Sequence, residues 1–401
     1  MKRIFSRCFI GAGCFLPFLV SAQVTTPSGQ QLRVVNSSVP FINFTPDARS
    51  GALGEAGVAL SPDANAIFWN PAKLVFAQEN AGASVSYTPW LRDLIGDMYY
   101  TYLTGYKKIG KNQVIGASLL YFDLGTIQFT TAQGLAAGTF NSREYAFTAN
   151  YSRQLFRNFS MGVNLKYINS NLAGSYTVNG TAIKPGATAA VDISAYYQDQ
   201  VRDEVSGKGI GWAYGAMLSN LGGRINYGSE ERYFIPTNLR LGGRFTYFAD
   251  QVNKFNFVLD FNKLMVPTPP IYGTPVNGQA PPILAGQNPN RPYLSAIFGS
   301  FADAPGGFAE ELKEITISTG VEYWYNDLFA ARLGYYNESN EKGGRKYLTS
   351  GLGVRLQDRY GIDFSYLMPL KGNSPLANTF RVSLLINFNR GVGRVNEGSD
   401  E

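Results

Sequence analysis

Residues 144–152 read Glu-Tyr-Ala-Phe-Thr-Ala-Asn-Tyr-Ser, and residues 159–167 read Phe-Ser-Met-Gly-Val-Asn-Leu-Lys-Tyr. Tyr145, Phe147, Ala149 and Tyr151 fall on one parity, against Glu144, Thr148, Asn150 and Ser152 on the other. In the next segment Phe159, Met161, Val163, Leu165 and Tyr167 alternate with Ser160, Gly162, Asn164 and Lys166. A strand points successive side chains to opposite faces, so these are sheets apolar and aromatic on one side and polar on the other. Leu239, Leu241, Phe245 and Tyr247 repeat the pattern against Asn238, Arg240, Arg244 and Thr246. So do Phe380, Val382, Leu384, Ile386 and Phe388 against Thr379, Arg381, Ser383 and Asn387. A wall between lipid and lumen needs this division. Tyr99 to Tyr106 and Val114 to Phe122 are apolar on both faces, which predicts a cover on the inside.

Outward from these segments, fourteen stretches of strand character can be marked between Gly, Asn, Asp and Pro clusters. They run over 83–90, 97–107, 113–124, 143–154, 159–170, 188–198, 210–220, 237–248, 254–265, 312–324, 327–337, 346–356, 359–369 and 378–388. The fold class expected is all-β: an outer-membrane β-barrel of about 14 antiparallel strands. Connection lengths alternate, as the short turns and long outer loops of such barrels require. Those near 155–158, 249–253, 325–326 and 357–358 are tight; those near 125–142, 171–187, 221–236 and 266–311 are long. With both chain ends in the periplasm, every long one lies outside, the exceptions being a short first loop at 91–96 and a longer turn at 199–209. A soluble β-sandwich shares the alternation. It explains less well a polar face carrying Glu144, Lys166, Arg240, Arg244, Asp260, Glu322, Arg332, Arg355, Asp363 and Arg381, which a wet lumen accommodates together. On that reading Val163→Arg or Leu384→Arg, facing lipid, costs about 2 to 4 kcal/mol and Asn164→Arg or Ser383→Arg much less.

Lys2, Arg3 and Arg7 precede an apolar run from Cys8 to Val20, and Val20-Ser21-Ala22 offers small residues for a signal peptidase. Residues 1–22 are expected to be a signal peptide. A lipoprotein signal ending at Cys14 is the alternative, against which the apolar run continues through Leu19. Cleavage after Ala22 removes both cysteines, hence any disulfide or thiolate ligand. It also takes three of the 35 basic residues, leaving 32 against 29 acidic ones, with no basic block for nucleic acid. The chain has no histidine, so imidazole-dependent triads and most zinc sites are excluded. No metal and no cofactor are expected, and binding or transport is favoured over catalysis. Beyond the signal no run of eighteen uncharged apolar residues exists to form a membrane-spanning helix. Twenty-five tyrosines and 27 phenylalanines suit aromatic girdles.

One segment does not alternate. Phe44-Thr45-Pro46-Asp47-Ala48-Arg49-Ser50-Gly51-Ala52-Leu53-Gly54-Glu55-Ala56-Gly57 is followed by Ser61-Pro62-Asp63-Ala64-Asn65-Ala66-Ile67-Phe68-Trp69-Asn70-Pro71-Ala72. Small residues allow close backbone packing and the prolines restrict the chain. Because a barrel of this size has an open lumen unless something fills it, residues 23–82 are expected to form a leading segment and hatch. The barrel itself is assigned to 83–388 and a periplasmic tail to 389–401. Asp47, Arg49, Asp63 and Asn65 are candidate hatch contacts, the charges as ion pairs, caps or substrate contacts, and Trp69 is a packing anchor or a ligand platform.

The run around Pro46 to Arg49, Gly51 to Gly57 and above all Trp69-Asn70-Pro71-Ala72 resembles the PorV family of Bacteroidetes type IX secretion. Asn70-Pro71-Ala72 is also similar to the hatch element of the FadL group of fourteen-stranded fatty-acid transporters. The PorV resemblance implies an outer-membrane secretion component without a reaction of its own. It would receive cargo by its C-terminal signal domain from a large SprA-like translocon barrel and pass it to a surface sortase complex containing PorU. It also implies outer loops that reach the translocon. Residues 266–311 are the candidate, stiffened by proline and carrying Pro269, Pro270, Tyr272, Tyr293, Phe298 and Phe301. A variable loop without partner is the plain alternative. The rival functions are a FadL-like transporter of hydrophobic small molecules and, last, a lipid-modifying enzyme using Asp, Glu or Lys as base.

Overall fold

The computed structural model describes residues 33–92, 95–130, 135–174, 177–178, 181–275, 280–357, 359–372 and 374–390. The signal at 1–22 and the tail beyond 390 lie outside these. Fourteen strands close into one antiparallel barrel. They are β1 (Glu79–Pro89), β2 (Tyr99–Lys108), β3 (Gln113–Thr130), β4 (Ala136–Phe156), β5 (Phe159–Asn171), β6 (Gly186–Arg202) and β7 (Gly209–Gly222). The second half comprises β8 (Asn238–Phe248), β9 (Asn253–Leu264), β10 (Ile315–Tyr325), β11 (Phe329–Asn337), β12 (Lys346–Leu356), β13 (Tyr360–Pro369) and β14 (Phe380–Arg390). Each pairs with its sequence neighbours, and β1 closes on β14 through Glu79↔Arg390 to Tyr87↔Val382.

Side-chain parity follows the alternation. Val163, Leu165, Leu241, Phe245, Leu333 and Leu384 point outward and are exposed, while Asn164, Glu322, Arg332, Asp363 and Ser383 are buried inside. The outer surface is therefore apolar, as a bilayer's hydrocarbon demands. Tyr87, Tyr99 and Tyr121 lie in contact across β1 to β3, and Tyr145 meets Tyr167 across β4 and β5.

The strand ends divide the molecule into a short-turn end and a long-loop end. Some segments expected as loop are strand instead: β3 and β4 continue their pairing past Asp123↔Arg143 to Thr130↔Ala136, beyond the points where β2 and β5 stop. β6 likewise runs to Arg202 and shortens the turn at 199–209. The connection between β9 and β10 contains a small hairpin (Ile271–Tyr272 with Ile283–Ala285) and two short helices.

Two expectations are corrected. The lumen is not an open, wet channel: Asn164 is fully buried, donating to the Ile67 carbonyl (3.0 Å) and to Asp192 (2.8 Å), and the Ser383 hydroxyl accepts the Ala48 N–H (2.9 Å). An arginine at either position has no room, so the low cost expected there does not hold. Nor does the leading segment start at the short-turn end. Arg33 pairs with Glu310 and the Ser38 N–H donates to the Phe234 carbonyl, both in long-loop connections, before the chain descends to Glu79. Polar inward residues face a folded segment that spans the lumen.

Candidate functional site: the hatched lumen and its capped mouth

The hatch begins with a 3-10 turn (Pro40–Asn43) and contains α1 (Ala48–Gly51), α2 (Ala66–Trp69) and a second 3-10 turn (Pro71–Phe76). Asp47 caps α1 by accepting the Ser50 N–H (2.8 Å), and its other oxygen accepts the Trp69 indole N–H (2.6 Å). The same ring lies against Gly57, where a Cβ would sit 2.2 Å from Trp69 Cδ2, so glycine is required. Gly54 has φ +65° and packs on the Tyr335 backbone, a second position closed to side chains. Asn70 accepts the Ala72 N–H (3.1 Å) and donates to the Ala195 carbonyl (2.9 Å), and the Pro71 carbonyl accepts from Ser152 (2.9 Å). These contacts fasten Asn70-Pro71-Ala72 to the wall. Asn65 is buried and its side chain makes no hydrogen bond.

Arg49 is the electrostatic centre. It meets both oxygens of Glu322 on β10 (2.9 Å each), Asp63 (3.0 Å) and the Ser61 carbonyl (3.0 Å). Glu322 also accepts from Arg332 (2.8 Å), which donates to Asp363 (2.8 Å), which in turn binds Arg355 (2.7 Å). Three guanidiniums and three carboxylates thus form one chain from hatch to wall. Elsewhere Asp260 accepts the N–H groups of Gly57 (2.7 Å) and Val58 (2.9 Å), and Lys73 donates to the Gly57 carbonyl (2.6 Å). Nothing in the sequence pattern pointed to Lys73 or to these long-range pairings, although the wall charges themselves were visible.

The opposite half of the upper lumen is apolar. Phe41, Ile42, Phe68 and Trp69 pack on Tyr100, Tyr102, Leu120 and Phe122, which supplies the inner cover expected for β2 and β3. Between this cluster and β8 to β11 a cavity of about 410 Å³ opens toward the long-loop end, lined by Phe44, Trp69, Asn238, Arg240, Glu314 and Glu338 among others. Arg240 lies over the rings of Phe68 and Trp69. The lining is mixed and charged. Among the described residues no cluster of His, Cys, Asp or Glu is placed to hold a metal ion.

The mouth is capped by the β9–β10 connection with α3 (Tyr293–Gly299) and α4 (Phe308–Lys313). Lys263 binds Glu311 (2.8 Å) and Glu314 (2.6 Å), Lys342 binds Glu310 (2.6 Å) and Glu314 (2.8 Å), and Arg33 binds Glu310 (2.9 Å). The six loop residues singled out from sequence separate into two sets. Pro270 is buried, and Pro269 and Tyr272 are half-buried. Tyr293 is tied down, its hydroxyl accepting the Gly222 N–H (2.8 Å) and its ring stacked on Phe234. Phe298 (58% exposed) and Phe301 (44%) face outward, with Leu284 and Leu294 beside them in sequence equally open.

Burial alone would raise the Glu310 carboxyl, but the hydrogen bonds from Arg33, Lys342 and the Gly306 N–H outweigh it and hold it down to about 2. A depressed carboxylate stabilises the fold above its unfolded value and loses that contribution as pH falls through its folded one. The clamp is therefore expected to stay intact above about pH 4.5 and to loosen toward pH 2. Amide hydrogen exchange of 33–38 and 303–314, corrected for intrinsic rate, should show protection lost only in that window. Protection lost already near pH 6 would contradict the assignment.

Residues 27–271, more than half of the chain, match the model of the family described as type IX secretion system protein PorV. The chain belongs to the PorV family. No curated protein matches. Among solved structures, this PorV-family barrel is similar to the toluene transporter TbuX of Ralstonia pickettii, at 12% identity and TM-score 0.46 over 87% of this chain and 99% of that one. It is similar to the toluene transporter TodX of Pseudomonas putida at 12% and 0.47 (86% and 98%). A FadL homologue of Pseudomonas aeruginosa gives 12% and 0.44 (86% and 99%). At such distance what those proteins carry says nothing of what a PorV-family chain binds.

Proposed function

We propose that this protein serves type IX secretion as a closed docking barrel in the outer membrane. It binds the C-terminal signal domain of secreted cargo at its long-loop end, takes that cargo from a large SprA-like translocon barrel, and passes it to a surface sortase complex containing PorU. Residues 1–22 act as its export signal, and the reading assigns it no reaction of its own. The observation that carries this is a hatch ion-paired to the wall across the lumen, beneath a mouth whose cap turns Phe298 and Phe301 outward. Apolar groups exposed in this number call for a covering partner. A FadL-like transporter of hydrophobic small molecules is less well supported, because the apolar residues of the lumen pack on one another and the cavity beside them is lined by charges.

Shortening 271–301 while keeping 302–314 should leave a folded, heat-modifiable barrel, since trimming a long exposed loop changes closure entropy little. Surface delivery of cargo should fall sharply. A trimmed variant that still folds and still delivers cargo to the cell surface at the wild-type level would rule out this loop as the docking element.

A further inference from the structure

In water a surface helix turns its apolar stripe to the core and its charges outward. α4 does the reverse. Glu310 and Glu311 are buried, held by Lys342, Arg33 and Lys263, and Glu311 also accepts the N–H groups of Asp303 and Ala304 (2.8 Å each). Phe308 and Leu312, four residues apart and so on one face, are 75% and 51% exposed. The same inversion, polar inside and apolar outside, marks every well-alternating strand of the wall, where the outer medium is lipid. α4 is also continuous with that wall. Leu312 lies three residues before Ile315, the first residue of β10, hence within about 10 Å along the chain. The outward row at this level contains Ile317 and its register partner Phe261, which is exposed. α3 differs, for its buried positions are the apolar Ala296 and Ile297 while Leu294 and Phe298 are open. It is apolar on both sides, as an element above the bilayer awaiting a protein would be.

We propose that α4 is a lipid-contact helix lying at the outer boundary of the bilayer, with Phe308 and Leu312 inserted among the acyl chains and Glu310 and Glu311 anchoring it to the barrel from within. The occupant of this face is lipid rather than protein, because the inversion is that of the wall and the helix runs directly into a lipid-facing strand. Amphipathic helices with aromatic and aliphatic residues on one face bind such boundaries through buried apolar area. The cap is then held from two sides, by ion pairs within and by lipid without.

The test uses the full chain with Cys8→Ser and Cys14→Ser, carrying one nitroxide label at Phe308→Cys or, separately, Leu312→Cys. Each is folded into phosphatidylethanolamine–phosphatidylglycerol vesicles with no partner protein present. Leu333→Cys on the outer wall and Val205→Cys in a short turn serve as references, and heat-modifiable migration verifies folding. Collisional broadening by oxygen relative to a water-soluble nickel chelate should shift both α4 labels toward the Leu333 reference. α4 labels that match Val205, open to nickel and shielded from oxygen, would overturn the proposal and point to a protein-covered face. Two positions are used so that a folding defect at one leaves the other to decide.

Discussion

Glu322→Ala should destabilise the barrel by about 3 to 5 kcal/mol, the cost expected when one member of a buried ion-pair network is removed. Glu322 is fully buried and accepts from Arg49, Arg332 and Asn256. Without it two guanidiniums lose their shared anion; Arg49 keeps Asp63 and Arg332 keeps Asp363, so the loss falls short of an isolated buried charge. Glu322→Gln preserves the shape but not the charge and should lie between. Because Arg49 belongs to the hatch and Glu322 to the wall, the same variant should also admit ion current through single barrels in planar bilayers. Reversible urea unfolding in lipid vesicles reads the stability. A loss below about 1 kcal/mol would mean that the network is surface-like in energy, and that other contacts hold the hatch.

The second large effect is on the lipid face, where Val163→Arg or Leu384→Arg should cost about 2 to 4 kcal/mol if the residue lies near the midplane. Both point outward from the wall. The inward neighbours Asn164 and Ser383 are no safer, since each is packed and hydrogen-bonded against the hatch. The distinction lies in kind: Asn164→Arg should loosen the hatch and open the lumen, while Val163→Arg should lower folding yield with the folded fraction still closed. Closed barrels from Asn164→Arg at wild-type stability would contradict the packing described here.

Parity is what made the wall legible. A strand between lipid and lumen writes its inside and outside into alternate residues, so Tyr145 to Tyr151 and Phe159 to Tyr167 announced themselves, and the other segments followed by spacing. The boundaries shifted where pairing outruns the bilayer: β1 starts at Glu79 rather than Ala83, and β3 and β4 continue through the stretch expected as loop. The filling of the lumen was not legible in the same way. Polar inward residues look alike whether they face water or a folded segment, and the contact that distinguishes the two, Arg49 with Glu322, joins positions 273 apart. The small-residue run through Gly54 and Gly57 signalled close packing but not the Tyr335 backbone or the Trp69 ring it packs on. In the long loop the aromatics were visible as a group. Only tertiary contacts separate Tyr293, bound to Gly222, from Phe298, left open. α4 was hidden for a similar reason, because its charges and its apolar pair read as an ordinary surface helix until the direction of each was known.

The central claim, that this barrel works by holding proteins at its mouth, is tested most directly by isolating the tagged wild-type chain from native outer membranes in mild detergent and identifying what accompanies it. The account predicts a very large barrel and secreted proteins that retain their C-terminal signal domains, in amounts approaching that of the bait. Recovery of the barrel alone, with a hydrophobic small molecule in its lumen and neither translocon nor cargo beside it, would contradict that claim.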